Sequence, residues 1–283
     1  MVRIGRWDDP MTTTISSRPR GAFTRIELLV ILLTLGLLAV VARPVWGTSE
    51  HASRQTVCID NLRRITAAWL VYADDHQGAM PLNNGGAESQ APPLGRASWI
   101  SGWLDWTTGA ANTNTAYLVD SRYASLAPYT GRDASLYKCP ADVFQSNAQA
   151  ASGRPGRVRS YSMNAFMGSG SGKDFNSGYL TYTKNSDLRT LAPAQAFVLL
   201  EEHPDSINDP VFIQSMSQPM WFDLPASFHD GSCGFSFADG HVEIHRWASA
   251  KTSVPVRFYF VSPTIPPNDP DYLWLKARSG ERP

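Results

Sequence analysis

Two apolar patterns dominate the first third of the chain, and they differ in kind. Residues Leu28 to Ala42 (LLVILLTLGLLAVVA) carry no charge. Extended back to Phe23, the stretch reaches roughly 20 residues, about 30 Å as a helix, which matches one hydrocarbon thickness. Glu27 sits one turn inside it. Pro44 removes an i−4 hydrogen bond and is expected to bend the helix or end its first half. The second pattern is a stripe. Cys58, Leu62, Ile65, Trp69 and Tyr72 recur at spacings of four and three, with Arg54, Asp60, Arg63 and Arg64 lying off it. That period predicts an amphipathic helix with its stripe in a core, ending near Asp74 to Gly78 with Pro81 beyond.

Farther along, the punctuation becomes dense. Residues 82–98 are rich in Asn, Gly and Pro and read as a loop. An aromatic cluster follows, Trp99, Trp103 and Trp106, then a short helix near Tyr117 to Leu126. The tryptophans fit a sugar- or peptide-stacking surface or, more simply, the cap of a small core. Arg157 to Met163, Ala196 to Leu200, Gly234 to Phe237 and Val242 to Trp247 alternate or run apolar like strands. Asp239-Gly240, set between the last two, predicts a hairpin. Phe235 and Phe237 share one face of it. A long helix, then irregular segments, then strands, makes an α+β arrangement.

Composition narrows the function classes. Lys and Arg balance Asp and Glu at 25 each, so net charge gives no reason to expect a nucleic-acid partner. Arg3, Arg6, Arg18, Arg20 and Arg25 precede the apolar stretch against Asp8 and Asp9, and by the positive-inside rule the N-terminus stays cytoplasmic. Cys58, Cys139 and Cys233 form no C-x-x-C pair, which removes zinc-ribbon and thioredoxin-like readings. An oxidising compartment permits one bridge. Cys58–Cys139 would tie the helix to the domain; a buried free thiol at Cys58, on the apolar stripe, is the competing reading.

Three readings compete for the apolar stretch: a cleaved secretory signal, a buried helix, and a retained anchor. Only the third has a use for Glu27, whose unpaired carboxylate costs about 2.5–3.5 kcal/mol at a bilayer centre. The run Gly21-Ala22-Phe23-Thr24-Arg25-Ile26-Glu27-Leu28-Leu29-Val30 resembles the cleavage and methylation motif of type IV prepilins and type II secretion pseudopilins. The resemblance implies cleavage by a prepilin peptidase between Ala22 and Phe23 and N-methylation of Phe23. It also implies pairing of Glu27 with the Phe23 amine of a neighbouring subunit during assembly. Ala22 stands where the motif usually has Gly, and Arg25 where it is usually apolar.

The segment Phe228 to Trp247 (FHDGSCGFSFADGHVEIHRW) resembles a marker of a pilin-like family of Planctomycetes and Verrucomicrobia: a histidine, nine residues, then Asp-Gly, here His229, Asp239 and Gly240. CIDNL, YADD, YKCPAD and SYSMN, starting at Cys58, Tyr72, Tyr137 and Ser160, look like the same family in the same order. A hydrogen bond between His229 and Asp239 would pin the loop before the hairpin. Because some pseudopilins hold a calcium in an acidic loop, the resemblance makes Asp205, Asn208 and Asp209 candidates for a structural calcium.

No H-E-x-x-H, G-x-S-x-G or phosphate-binding glycine loop occurs. His229, Asp239, His241 and His245 cluster in sequence, with carboxylates from Glu201 to Asp209. A zinc hydrolase, however, needs three ligands plus a positioned base. Asp239 is accounted for by the turn, and the strand face shared by His241 and His245 lies beside charges and is expected to be wet. No enzyme is expected. The expected fold is α+β, a long membrane-spanning spine helix packed on a loop-rich antiparallel β domain. Its parts are a leader (1–22), a transmembrane helix (23–44), the soluble half of the spine (45–80) and an exported pilin-like domain (81–283). The expected function is that of a single-pass inner-membrane pseudopilin with a periplasmic domain, assembled with other subunits and a secretion platform into a type II secretion-like fibre. The alternative is a membrane-tethered ligand- or glycan-binding protein.

Overall fold

The computed structural model describes residues 24–90, 97–170 and 178–283, with residues 39–51 described by their backbone alone. The proposed leader, the Ala22–Phe23 bond and the Phe23 methylation site lie outside the described residues. The chain divides into two units, Met1–Thr48 and Ser49–Pro283.

Helix α1 spans Arg25–Asp75, so of the two outcomes expected at Pro44 the helix does not end there. Its side chains from Ile26 to Leu38 are exposed. Membrane crossing, however, is overturned: among the described residues no helix is long and apolar enough to cross a membrane. The charge-free run of described side chains, Leu28 to Leu38, covers only about 16 Å of helix, and Arg25 and Glu27 lie just before it. With the span go the transmembrane, single-pass inner-membrane and periplasmic assignments. Within the second unit α1 is amphipathic as its stripe predicts: Cys58, Leu62, Ile65 and Trp69 are fully buried and Tyr72 nearly so. The helix ends where Gln77 and Gly78 turn left-handed (φ 58° and 80°) and the Gly78 N–H donates back to the Ala73 carbonyl at 2.8 Å.

Strands β1 (Tyr161–Asn164), β2 (Phe197–Glu201), β3 (Val211–Phe212), β4 (Ser232–Phe237) and β5 (Val242–Arg246) form one sheet ordered β3-β1-β2-β4-β5. The sheet is mixed, which corrects the antiparallel expectation: β1 pairs antiparallel with β2 but parallel with β3. The two-residue β3 carries too short a pattern to be read locally.

The sheet is covered on both faces. On one face the α1 stripe packs with Trp99, Tyr137, Tyr161, Met163 and Leu199. On the other, Phe197, Leu200, Phe235 and Phe237 pack with Trp221, Trp247 and residues of a C-terminal helix. A register shift in the β2–β4 pairing between Phe197 and Leu199 explains why Val198 and Leu199 both join the α1 side. Gly234 is what lets α1 approach β4: a Cβ there would lie 2.8 Å from the Leu62 Cδ1. The C-terminal helix, α5 (Pro270–Ser279), follows α2 (Ala87–Gln90), α3 (Ala116–Val119) and α4 (Asn147–Ala151). It starts with Asp269 capping the Asp271 and Tyr272 N–H groups and Pro270 in the first turn.

Candidate functional site

At the start of α1, Thr24 and Glu27 cap each other. The Glu27 N–H donates to the Thr24 hydroxyl at 3.2 Å, and the Thr24 N–H donates to the Glu27 carboxylate at 2.8 Å. This is a reciprocal capping box, which satisfies two N–H groups the helix cannot. The backbone and hydroxyl hydrogens of Thr24 hold the Glu27 carboxyl below the usual carboxylate range. Thr-x-x-Glu ahead of an apolar run was legible in the sequence, and it gives Glu27 a local role beside any intermolecular one.

The hairpin forms where Asp239-Gly240 predicts it, with different geometry. The Gly240 N–H donates to the Phe237 carbonyl at 2.9 Å and the Phe237 N–H to the His241 carbonyl at 3.0 Å. Only Gly240 is left-handed, at φ 93°. The connection is therefore a three-residue loop ending in a glycine bulge, in place of a two-residue turn. Asp239 binds His241, its Oδ1 lying 2.6 Å from Nδ1.

His229 does not pair with Asp239. Its Nε2 lies 3.0 Å from Glu201 Oε1 and 3.7 Å from Cys139 Sγ, in the core between α1 and the sheet. Glu201, the last residue of β2, uses its other oxygen to accept the Gly234 N–H at 2.8 Å. Cys139 is bridged to Cys58 of α1, with Cα atoms 5.3 Å apart. Cys233 is the remaining thiol and is buried, which pushes its pKa well up. The bridge, the histidine and the carboxylate thus meet at one point, with their donor atoms within 4.8 Å of one another. The histidine was legible as part of a motif. Glu201 was not singled out as its partner, although a carboxylate closing an apolar strand run is a burial conflict that asks for one.

The calcium candidates are engaged with hydrogen donors. Asp205 accepts from the Trp106 Nε1 and from the Arg257 and Phe258 N–H groups. Asp209 accepts from the Gly86 and Val211 N–H groups, and Asn208 Oδ1 faces the Asp209 N–H. Burial pushes the Asp209 carboxyl up despite those donors. Among the described residues, Cys58, Cys139, Glu201 and His229 are the group of three or more such side chains that converge on one point.

A cleft of about 520 Å³ opens beside Asp205, lined by Trp103, Trp106, Arg157, Phe258, Tyr259 and Phe260. The tryptophans divide between two roles: Trp99 is fully buried in the core, while Trp103 and Trp106 reach this cleft. The Arg157 guanidinium carbon stands 3.8 Å from the centre of the Trp106 ring, and Phe258 meets the same ring edge-on at 4.8 Å. Phe258 takes φ 63°, a conformation that is rare for a bulky side chain. Arg157 Nη1 donates to the Pro204 carbonyl at 2.8 Å; among the described residues its Nε and Nη2 have no partner. Burial lowers its pKa. Sequence reading missed the Phe258–Phe260 wall because it comes from a segment about 150 residues away from the tryptophans. Neither known protein families, nor characterised proteins, nor solved structures give a match to this chain.

Proposed function

We propose that the chain is a pilin-like structural subunit that assembles through the N-terminal part of α1 after leader removal before Phe23. The observation that carries this reading is the exposure of Ile26 and of every residue from Leu28 to Leu38, on all faces of the helix. An apolar helix open on every side is stable when other helices cover it, and the same segment of further copies is the occupant the prepilin-like motif implies. Burial of a leucine side chain contributes about 1.5–3 kcal/mol, so ten such positions can offset the entropy of association. A prepilin-type peptidase and other pilin-like subunits are the partners on this reading.

The test separates the two roles of Glu27. Glu27→Gln keeps a capping side chain at the third helical position but removes the charge; Glu27→Leu removes both. Chain starting at Phe23 is expected to give cross-linkable multimers by sedimentation, lost in both variants. Multimers at wild-type level in Glu27→Gln would leave Glu27 a cap only and remove the assembly role.

The Trp103–Trp106–Phe258 cleft favours a second reading, binding of a glycan. Aromatic faces stack on sugar rings, and the buried Arg157 holds the Trp106 ring from behind, its guanidinium carbon 3.8 Å from the ring centre. Titration calorimetry with neutral and acidic oligosaccharides tests it. Binding abolished by Trp106→Ala supports it, and silence across both sets removes it.

A further inference from the structure

We propose that Cys58, Cys139, Glu201 and His229 form a buried site for one zinc ion, which the chain takes up when the Cys58–Cys139 bridge is reduced. The four donors come from distant parts of the chain: α1, the segment after the turn at Ala134–Tyr137, the end of β2, and the loop before β4. Cys58, Cys139 and Glu201 are fully buried and His229 nearly so. Their donor atoms already lie within 4.8 Å of one another.

The spacing around His229 is close to that of a tetrahedron, and the widest pair of the four, within 4.8 Å, has to close by at most about 1 Å. With Zn–S near 2.3 Å and Zn–N near 2.0 Å, sulfur and nitrogen ligands stand about 3.5 Å apart. Cys139 Sγ and His229 Nε2 are 3.7 Å apart. His229 Nε2 and Glu201 Oε1, at 3.0 Å, need to open by only a few tenths of an ångström. The two sulfurs must separate from bonding distance to about 3.8 Å, which is what reduction permits.

Contacts that would hold the donors in place are present. Glu201 Oε2 is fixed by the Gly234 N–H, leaving Oε1 to face the centre. The Ala141 N–H points at Cys139 Sγ at 3.4 Å, a contact that favours a thiolate there, and the Cys139 N–H donates to Ser160 Oγ. Such supports are what tune metal affinity. Two sulfurs and an imidazole select zinc over calcium or magnesium, and four protein donors make a closed site that is structural in kind.

The chemistry balances with an external thiol as reductant. Two reductant thiols become one disulfide, and their two electrons and two protons convert the Cys58–Cys139 bond into two thiols. Zinc then displaces the two thiol protons. The imidazole hydrogen moves from Nε2, where it faces Glu201, to Nδ1, and Nε2 turns its lone pair to the metal. Bridge and zinc are alternative occupants of one place, so either state ties α1 to the domain.

Full-length protein, reduced anaerobically with a phosphine (the disulfide takes its two electrons, and water supplies the oxygen of the phosphine oxide and the two thiol protons), is incubated with zinc, desalted and analysed for metal. One zinc per chain is expected, against none for the oxidised protein. Cobalt(II) is expected to give the intense visible bands of a tetrahedral site with a thiolate charge-transfer band in the near ultraviolet. His229→Ala and Glu201→Gln, which remove ligands, should each weaken zinc binding by more than the about 10–100-fold typical of losing an outer-shell partner, and Cys233→Ser should not change it. Thermal melts of each variant in its oxidised state show whether it still folds. Stoichiometric zinc retained by the Cys58→Ser/Cys139→Ser double variant, or none taken up by the reduced wild type, would overturn the site.

Discussion

His229 Nε2 and Glu201 Oε1 are 3.0 Å apart in a pair whose side chains are essentially inaccessible to water, at 3% and 0% exposure. The contact fastens the loop before β4 to the end of β2. Its carboxylate has two donors to satisfy, the imidazole and the Gly234 N–H. Removing the carboxylate strands both, whereas removing the ring strands one. With the bridge intact, Glu201→Ala is therefore expected to cost more stability than His229→Ala, each on the order of 1–3 kcal/mol per unmet group. Urea unfolding measures the order. Equal losses, or a larger one for His229→Ala, would show that the carboxylate is not the shared anchor.

The hairpin prediction concerns one position. Gly240 is left-handed and faces Leu70 of α1, where a Cβ would approach Cδ1 to 3.2 Å. Gly240→Val meets both the backbone strain and the contact, so a loss of about 2 kcal/mol or more is expected. Asp239→Ala loses only the exposed contact with His241 and is expected to fall within about 1 kcal/mol of wild type. Comparable melting temperatures for the two variants would contradict the glycine-bulge account.

Stability should fall as pH rises, through a buried acidic group hydrogen-bonded to Ile213, the residue after the edge strand β3. Asp223 is wholly buried, and burial with the nearby Glu202 and Asp209 raises its pKa well above the ordinary value. Glu202 itself is pushed up to about 8, by burial first, with Asp209 adding to it and Arg159, Ser162 and Ser206 opposing. An acid whose folded pKa is raised binds its proton more tightly in the folded state. Its stabilisation is fully present below the unfolded value near 4 and is lost as pH rises through the folded value. Asp223→Asn keeps an oxygen for the Ile213 N–H, which Asp223 accepts at 2.6 Å, but does not titrate. Chemical denaturation between pH 5 and 9 should show a shallower decline in Asp223→Asn than in wild type. Parallel curves would remove Asp223 as the source.

Legibility in the sequence followed distance along the chain. The α1 stripe, β4, β5 and the turn at Gly240 rest on contacts within a few residues, and periodicity finds those. The membrane-crossing expectation rested on the apolar length from Leu28 to Ala42, whereas the described side chains of that run end at Leu38 and leave no helix long and apolar enough to cross. The parallel partner β3, two residues long, carries no period. The start of α5 was written in Asp269-Pro270-Asp271 and went unread. The meeting of Cys58, Cys139, Glu201 and His229 depends on four segments converging, and only the cysteine pairing was foreseen, as one of two readings. For the cleft, Trp103 and Trp106 were visible as a cluster, but their opposing wall at Phe258 is a tertiary fact.

The bridge should carry a measurable share of the stability when no metal replaces it. Cys58 and Cys139 are 81 residues apart, so the bond removes the closure entropy of a long loop from the unfolded chain. In the chain-entropy account that is worth about 4–5 kcal/mol. It also joins the α1 stripe to the segment carrying Tyr137, whose ring is buried in the same core. Phosphine-reduced protein in the presence of a chelator is expected to melt well below the oxidised form. The difference should disappear in Cys58→Ala/Cys139→Ala, because that variant has no bond to lose. Cys233→Ala should leave the redox difference intact, since its thiol donates to the Glu201 and Gly234 carbonyls and bridges nothing. A melting temperature unaffected by reduction in wild type would mean that the two cysteines do not cross-link the folded chain.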